Sequence, residues 1–273
     1  MRPDTFFDHA PAGTLRLLQI TDPHIFSSTH DRLLGVDTRD SLRQVIERVN
    51  IEKQPLDATL LTGDIVHDEG NEGYTAVRDI LEGLPSPVYC LPGNHDERTK
   101  MALLDHGNSH TDKQVLLGDW QIILLDSVLE NEEAGFLADD ELNFLRQALE
   151  AHPDRHALIC MHHHPVPIGS AWMDSIRLRN GDELLALLDR YPRARGVIWG
   201  HIHQEYESRR NGLHLLGSPS TCIQFEPGND DFAIDPQPPG FRWLALLPDG
   251  EIRTTVLRVA NVAATLELGS GGY

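Results

Sequence analysis

Positive charge is what this chain has least of. Its 273 residues carry 23 Lys and Arg against 42 Asp and Glu, a formal net charge of −19 with histidine neutral. That balance excludes a broad surface for nucleic acid or anionic lipid, since both would be repelled. A phosphate ligand here needs positive charge imported locally. Cysteine is scarce as well: Cys90, Cys160 and Cys222 stand far apart in apolar stretches with no CxxC pair. This excludes a disulfide scaffold and reads as buried thiols in a reducing compartment, with the cytoplasm expected. No run approaches about 18 consecutive apolar residues, so no membrane span is expected. The opening MRPDTFFDHAPA carries Asp4, Asp8 and a proline where a signal peptide would have positive charge followed by an apolar run. No linker divides the chain, which is expected to form one domain over residues 14–259, between an N-terminal extension (1–13) and a tail (260–273) whose end, Gly269 to Tyr273, should be mobile.

What is present suits a packed enzyme: 40% hydrophobic and 24% charged residues, and 15 histidines. A chain poor in cations and rich in imidazole has the raw material for metal binding. Leu15 to Ile20 is a short apolar run stopped at Thr21-Asp22-Pro23-His24, which predicts a buried strand delivering polar residues into a loop. Thr38 to Glu52 places Leu42, Val45, Ile46 and Val49 at helical spacing, with Thr38 or Asp40 as cap. Strands are expected at Ala58 to Thr62, ending in Gly63-Asp64, and at Val88 to Leu91, running into Pro92-Gly93-Asn94-His95-Asp96. An amphipathic stretch from Glu72 to Leu84 lies between them. Val115 to Leu117 and Gln121 to Leu125 flank a hairpin turn at Gly118-Asp119, and helices are expected over Asp140 to Leu149 and around Leu184 to Leu188. Two more strands, Ala157 to Met161 and Gly196 to Trp199, end in His162-His163-His164 and Gly200-His201-Ile202-His203. Beyond them the pattern predicts antiparallel strands at Leu213 to Leu216, Cys222 to Phe225, Phe241 to Leu247 and Ile252 to Leu257.

Five strand ends thus present Asp22 and His24, Asp64, Asn94 with His95 and Asp96, His162, and His201 with His203. In a roughly parallel sheet all these ends meet at one edge, where α/β proteins place their ligands. Two carboxylates, one amide oxygen and four imidazoles are too many donors for one ion and suit two octahedral ions that share a carboxylate. A nitrogen and oxygen set without sulfur favours Mn, Fe, Co or Zn over Ca.

At these positions the chain resembles the calcineurin-like metallophosphoesterases, whose blocks D-x-H, G-D, G-N-H-[DE], H and G-H-x-H occur here in order between Asp22 and His203. The surroundings (LQITDPHIF, LLTGDIV, LPGNHD, MHHHPVP, WGHIHQE, GSPSTCIQF) are similar to those of the bacterial class III 3′,5′-cyclic AMP phosphodiesterases. The resemblance implies an α/β fold of two packed mixed β-sheets, a sandwich flanked by helices. It implies that Asp22, His24 and His203 bind one divalent metal ion, that Asn94, His162 and His201 bind a second, and that Asp64 bridges them. Fe²⁺ or Mn²⁺ are the expected ions, with Zn²⁺ or Co²⁺ as alternatives. Spacing does not choose among His162, His163 and His164; His162 comes first off the strand, where the family places its ligand.

The implied reaction is hydrolysis of cyclic AMP to 5′-AMP by a metal-bridging hydroxide, with the phosphate facing His24, Asp64, Asn94, His95 and His203. His95 would contact the phosphate and protonate the leaving oxygen. Another small phosphoester, a glycerophosphodiester or a nucleotide, would use the same blocks, and a metal-free scaffold would share the fold. One departure bears on substrate class: protein phosphatases of this superfamily continue the bridging aspartate into a D-R-G sequence, whereas Asp64 is followed by Ile65-Val66-His67-Asp68-Glu69-Gly70. Singly, Asp22, Asp64 and Asn94 could each be turn or cap residues, and all five blocks arising so would need several coincidences. Asp96 reads as a turn or supporting carboxylate, and His67, His106, His110, His152 and His214 as surface or packing residues. Trp172 and Phe225 could flank an adenine or simply pack. Oligomeric state is not legible.

Overall fold

The computed structural model describes residues 6–8, 10–68, 70–259, 266, 267, 269 and 272. In chain order its elements are β1 (Leu15–Ile20), α1 (Thr38–Glu52), β2 (Ala58–Thr62), α2 (Asn71–Leu81), β3 (Val88–Leu91), a 3₁₀ helix (Arg98–Leu104), β4 (Ser109–His110), β5 (Gln114–Leu117), β6 (Trp120–Leu124), α3 (Asp139–Ala151) and β7 (His156–Cys160). There follow α4 (Ala171–Ser175), α5 (Gly181–Leu188), β8 (Ala194–Trp199), β9 (Tyr206–Arg210), β10 (Leu213–Gly217), β11 (Gln224–Phe225), β12 (Ile234–Asp235), β13 (Gly240–Leu246) and β14 (Ile252–Arg258). Two mixed six-stranded sheets result, ordered β14-β13-β1-β2-β3-β4 and β5-β6-β7-β8-β10-β9.

Alternation along the strands explains how the sheets stack. Leu17, Leu60, Leu244 and Leu246 of the first sheet meet Trp120, Ile122, Leu158 and Ile198 of the second, forming the interior of the sandwich. The intervening residues Leu18, Ile20 and Leu61 face outward, onto Leu42, Val45 and Val49 of α1 and Tyr74, Val77 and Leu81 of α2. On the far side Ile123, Ile159 and Val197 meet Leu142, Leu145 and Leu149 of α3 with Leu184 and Leu188 of α5. Helices therefore cover both outer faces, and central strands buried on two sides read as continuous apolar runs. In each half parallel strands are joined through helices, so β1, β2 and β3, and likewise β6, β7 and β8, end on the same edge.

Several expectations change. Helix α1 is capped by Asp37, whose Oδ1 accepts the Asp40 N–H at 3.1 Å, because Asp37 is the extended residue that precedes the first turn. Strand β10 is not purely antiparallel: it pairs parallel with β8 as well as antiparallel with β9. Strand β9, Tyr-Glu-Ser-Arg-Arg, is an edge strand whose polar composition conceals it. The strand expected over Cys222 to Phe225 shortens to Gln224–Phe225, which pairs with Ile234–Asp235 inside the expected loop. Part of the N-terminal extension and most of the tail, including residues 270, 271 and 273 of the end expected to be mobile, lie outside the described residues. Phe7 packs edge-on against Trp243 at 5.5 Å. All three cysteines are buried and free. Among the described residues no helix is long and apolar enough to cross a membrane.

At the end of the interior nearest the strand-end loops the packing turns polar. Arg242 of β13 is 1% exposed; its guanidinium donates to Ser218 Oγ (3.0 Å), Thr254 Oγ1 (2.9 Å) and the Gly217 carbonyl (2.7 Å). Ser218 Oγ donates to Gln19 Oε1 (2.5 Å), and Gln19 Nε2 donates to Thr62 Oγ1 (2.9 Å) and the Trp199 carbonyl (3.0 Å). This network ties the two sheets together behind the loops. Arg242→Met keeps much of the volume but takes its donor from the Gly217 carbonyl, at about 1–3 kcal/mol for a buried orphan, and removes one bond each from Ser218 Oγ and Thr254 Oγ1, which still donate to Gln19 Oε1 and the Trp243 carbonyl. Its urea midpoint should fall by the equivalent of about 2–4 kcal/mol; an unchanged midpoint would show that these bonds carry no net stability.

Candidate dinuclear metal centre

The backbone sets up the site before any side chain does. Beyond β1 and β2 the two loops pair with each other, Asp22 N–H donating to the Gly63 carbonyl and His24 N–H to the Asp64 carbonyl, both at 3.0 Å. Asp22, His24, Asp64, His201 and His203 all take left-handed backbone, with φ of 52°, 46°, 47°, 64° and 47°. Asp and His enter this region more readily than most residues, but a cluster of five is a concentration of strain. Gly63 and Gly93 are required by crowding. A Cβ on Gly63 would overlap His162 Nδ1, and one on Gly93 would overlap Asp64.

All seven expected donors lie together. His203 Nε2 is 3.3 Å from Asp22 Oδ1 and 3.3 Å from His24 Nε2. His162 Nε2 is 3.1 Å from Asn94 Oδ1 and 3.3 Å from Asp64 Oδ2. Asp64 Oδ2 also lies 3.6 Å from His24 Nε2, so this carboxylate sits between the two groups. Asp22, His24 and His203 form one cluster fit to hold an ion, and Asp22, Asp64 and His162 another, with His201 approaching His162 and His163.

The donor chemistry fits cations. His162 Nδ1 faces the Thr62 carbonyl and His203 Nδ1 the Ile223 carbonyl, both at 2.9 Å. A carbonyl only accepts, so Nδ1 carries the proton and a neutral ring presents a bare Nε2 inward, the usual arrangement for a metal-binding histidine. His201 Nε2 is buried with no hydrogen-bond partner, an orphan that an ion would satisfy. Burial opposes charge on Asp64 and His162, yet each sustains the other. Asp64 lies well below the usual carboxylate range beside His162 and His95, while Asp64 and Asp22 push His162 up to about 9. The carboxylates thus draw a proton to the place suited to a cation. His24 and His201 are held well below the ordinary imidazole value, chiefly by burial, and are neutral.

The neighbours of this cluster hold the loops and rings in place. His163 spends both ring nitrogens on the scaffold, Nδ1 on Ser127 Oγ (2.8 Å) and Nε2 on the Glu133 carbonyl (3.1 Å). His164 stacks on His201 with centroids 5.7 Å apart, its Nε2 3.6 Å from Asp174. Asp96 accepts N–H bonds from Ile65, Val66 and Gly93 at 2.8–3.2 Å, clamping the loop after β2 to the loop after β3. Burial and the Asp64 charge push Asp96 up to about 7, against the pull of those donors.

His95 is half-buried at the rim, its N–H donating to Asp64 Oδ1 at 3.0 Å and its ring edge-on to His24 at 4.8 Å. His67, which the sequence marks as a surface or packing residue, belongs to the site instead. Its Nδ1 is 3.4 Å from His24 Nδ1, and its ring stacks on His95 with centroids 5.0 Å apart and an interplanar angle of 22°. Burial holds its imidazole down at about 4. Beside His95, Asn94 and His201 opens a cavity of about 390 Å³, walled by Trp172, Met173 and Phe232 and by Glu132 and Glu133. Phe225 does not reach it. It is buried behind Trp172 and stacked on His203 at 4.2 Å and 9°, so of the two roles open to it, flanking a base or packing, it takes the packing one. A larger cavity of about 1010 Å³ between α1 and α2 contains none of the strand-end donors.

Comparison with known proteins agrees with this geometry. The profile of the calcineurin-like phosphoesterases matches residues 15–205. The chain is 43% identical to the 3′,5′-cyclic adenosine monophosphate phosphodiesterase CpdA of Pseudomonas aeruginosa, over 97% of each chain. It is 39% identical to the CpdA of Escherichia coli strain K12, also over 97% of each. Among solved structures a dimetal phosphatase from Danio rerio shares the fold, with a TM-score of 0.62 at 14% identity, over 90% of this chain and 99% of that one.

Proposed function

The chain belongs to the calcineurin-like phosphoesterase family, and from that premise we propose that it hydrolyses 3′,5′-cyclic AMP to 5′-AMP with two divalent cations. One observation carries the reading: two clusters of Asp and His donors meet at the buried Asp64, with His95 beside them on the rim of a part-aromatic cavity. Asp22, His24 and His203 would hold one ion, Asn94, His162 and His201 the other, and Asp64 both. Mn²⁺ or Fe²⁺ suits a nitrogen and oxygen set without sulfur. When bound, such a pair lowers the pKa of a shared water and stabilises the entering and leaving oxygens of an in-line displacement.

The remaining work falls to the chain itself. His95 contacts the phosphate from the rim. As the P–O3′ bond breaks, the leaving oxygen needs a proton, and in this reading the His95 imidazole gives it. Trp172 and Phe232 offer apolar faces on which a purine stacks. Asp64 is followed by Ile65-Val66-His67 with no arginine, which suits a phosphodiester of single charge better than a dianionic phosphoserine on a protein surface. An acidic protein of net charge −19 would also repel phosphoproteins rich in acidic groups. The three buried free cysteines accord with residence in the reducing cytoplasm.

A substrate panel on Mn²⁺- or Fe²⁺-reconstituted enzyme tests the proposal. Cyclic AMP should turn over, chelators should stop it, chromatography should find 5′-AMP, and phosphopeptides should react little. Faster turnover of phosphopeptide than of cyclic nucleotide at the same metal loading, or 3′-AMP as main product, would overturn the substrate assignment and leave the metal reading standing. Preferred turnover of a glycerophosphodiester or nucleotide would move the assignment to that ester.

A further inference from the structure

We propose that His67 is a positioning residue, which fixes the metal-facing tautomer of His24 through its Nδ1 and buttresses the ring of His95. The inference rests on the dinuclear reading above and concerns a residue that lies outside the seven donors. His162 and His203 each give their outer nitrogen to a backbone carbonyl, and a carbonyl accepts only, so their tautomers are settled by the main chain. His24 is different. Its Nδ1 meets another imidazole nitrogen, His67 Nδ1, at 3.4 Å, and that contact alone permits either ring to be the donor.

The inner side of His24 removes the ambiguity. Its Nε2 points among Asp64 Oδ2 (3.6 Å), His203 Nε2 (3.3 Å) and the rest of the donor cluster. To ligate, Nε2 must be bare, so the His24 proton resides on Nδ1 and His67 Nδ1 must be the acceptor. The His67 proton then resides on its Nε2. The surroundings hold the His67 ring in the pose this requires. Phe26 packs at 4.5 Å, His95 stacks at 5.0 Å and 22°, and the His67 backbone N–H donates to the Ile25 carbonyl at 3.1 Å, fixing the main chain from which the ring projects. One ring therefore touches both a proposed ligand and the proposed proton donor. Removal of His67 takes away the acceptor that meets His24 Nδ1 and a wall of His95.

Two variants separate the contacts. His67→Phe keeps a ring between Phe26 and His95 but removes the acceptor; His67→Asn keeps an acceptor oxygen near the place of Nδ1 but removes the ring. Calorimetric titration of metal-stripped protein with Mn²⁺ should show two ions in each. In His67→Phe one of the two affinities should fall by about 10–100-fold, the usual effect of losing a partner that orients a ligand. In His67→Asn both affinities should stay within about threefold, while kcat at saturating Mn²⁺ falls by about 10-fold with little change in KM. Wild-type affinities in His67→Phe, or equal weakening in both variants, would overturn the proposal. So would loss of one whole ion from His67→Phe, since His67 would then be a ligand. Imidazole ¹⁵N shifts of the unmutated Zn²⁺-loaded protein give an independent reading: protonation of His67 at Nε2 is expected, and protonation at Nδ1 refutes the assignment. A wild-type protein that binds no Mn²⁺ would sink the dinuclear reading itself, a result distinct from all of these.

Discussion

Asp64→Ala should release both ions and abolish hydrolysis, a loss on the order of 10³-fold or more, beyond the 10–100-fold that follows removal of an orienting partner. The reason is position. Asp64 Oδ2 stands 3.6 Å from His24 Nε2 and 3.3 Å from His162 Nε2, so one carboxylate serves both clusters. Its Oδ1 also accepts the His95 backbone N–H at 3.0 Å, so the loop that carries the proposed proton donor loses an anchor in the same step. His24→Ala and His162→Ala each touch one cluster and should each weaken one ion preferentially. Elemental analysis after dialysis, run beside the cyclic AMP assay, decides the matter. Two ions still bound per chain in Asp64→Ala, with near-normal turnover, would remove Asp64 from the bridge.

His95→Ala should behave in the opposite way, keeping its metals while losing about 10²- to 10⁴-fold in rate, the range typical of a general acid. The imidazole sits at the rim; it lies close to His24 and His67 as a third nitrogen donor but is in neither cluster that contains Asp22 or Asp64, and the hydrogen bond to Asp64 comes from the His95 backbone N–H, which alanine keeps. Leaving-group dependence is the sharper readout. An aryl phosphodiester expels a weakly basic oxygen that hardly needs a proton, so the variant should lose least there, whereas the ribose oxygen of cyclic AMP needs one badly. Equal losses on aryl and alkyl esters would mean that His95 binds phosphate without donating a proton.

Both results concern residues that can be found without coordinates, for a physical reason. Strands buried on two faces appear as unbroken apolar runs, so the ends of β1, β2, β3, β7 and β8 are visible as the places where those runs meet Asp, Asn and His. Their convergence follows from parallel pairing. His67 escapes such reading because it lies three residues beyond Asp64 in a loop with no period, and only the pairing of the loops after β1 and β2, with Ile25 bridged to Val66, turns it toward His24. Phe225 is hard to place for a related reason: an aromatic beside a loop has no sequence mark that separates a cavity wall from a ring packed behind a ligand. Arg242 is invisible as an internal link, since an arginine in an apolar strand looks like an outward-facing residue until Gln19 is found opposite it in the register.

The left-handed backbone at Asp22, His24, Asp64, His201 and His203 sets binding and folding against each other. An L-residue in that region gives up roughly 1–2 kcal/mol relative to its relaxed state, less for Asp than for bulkier side chains. Glycine would release that strain at any of the five positions, offset in part by the greater freedom of its unfolded chain. Backbone strain thus favours erasing the proposed ligands, while the hydrogen bonds that Asp22 accepts from His201, Asp64 from His95, and His203 makes to Ile223 favour keeping them, along with the proposed reaction. A descendant relieved of catalysis would be expected to drift toward glycine first at His201, whose buried Nε2 has no hydrogen-bond partner to lose.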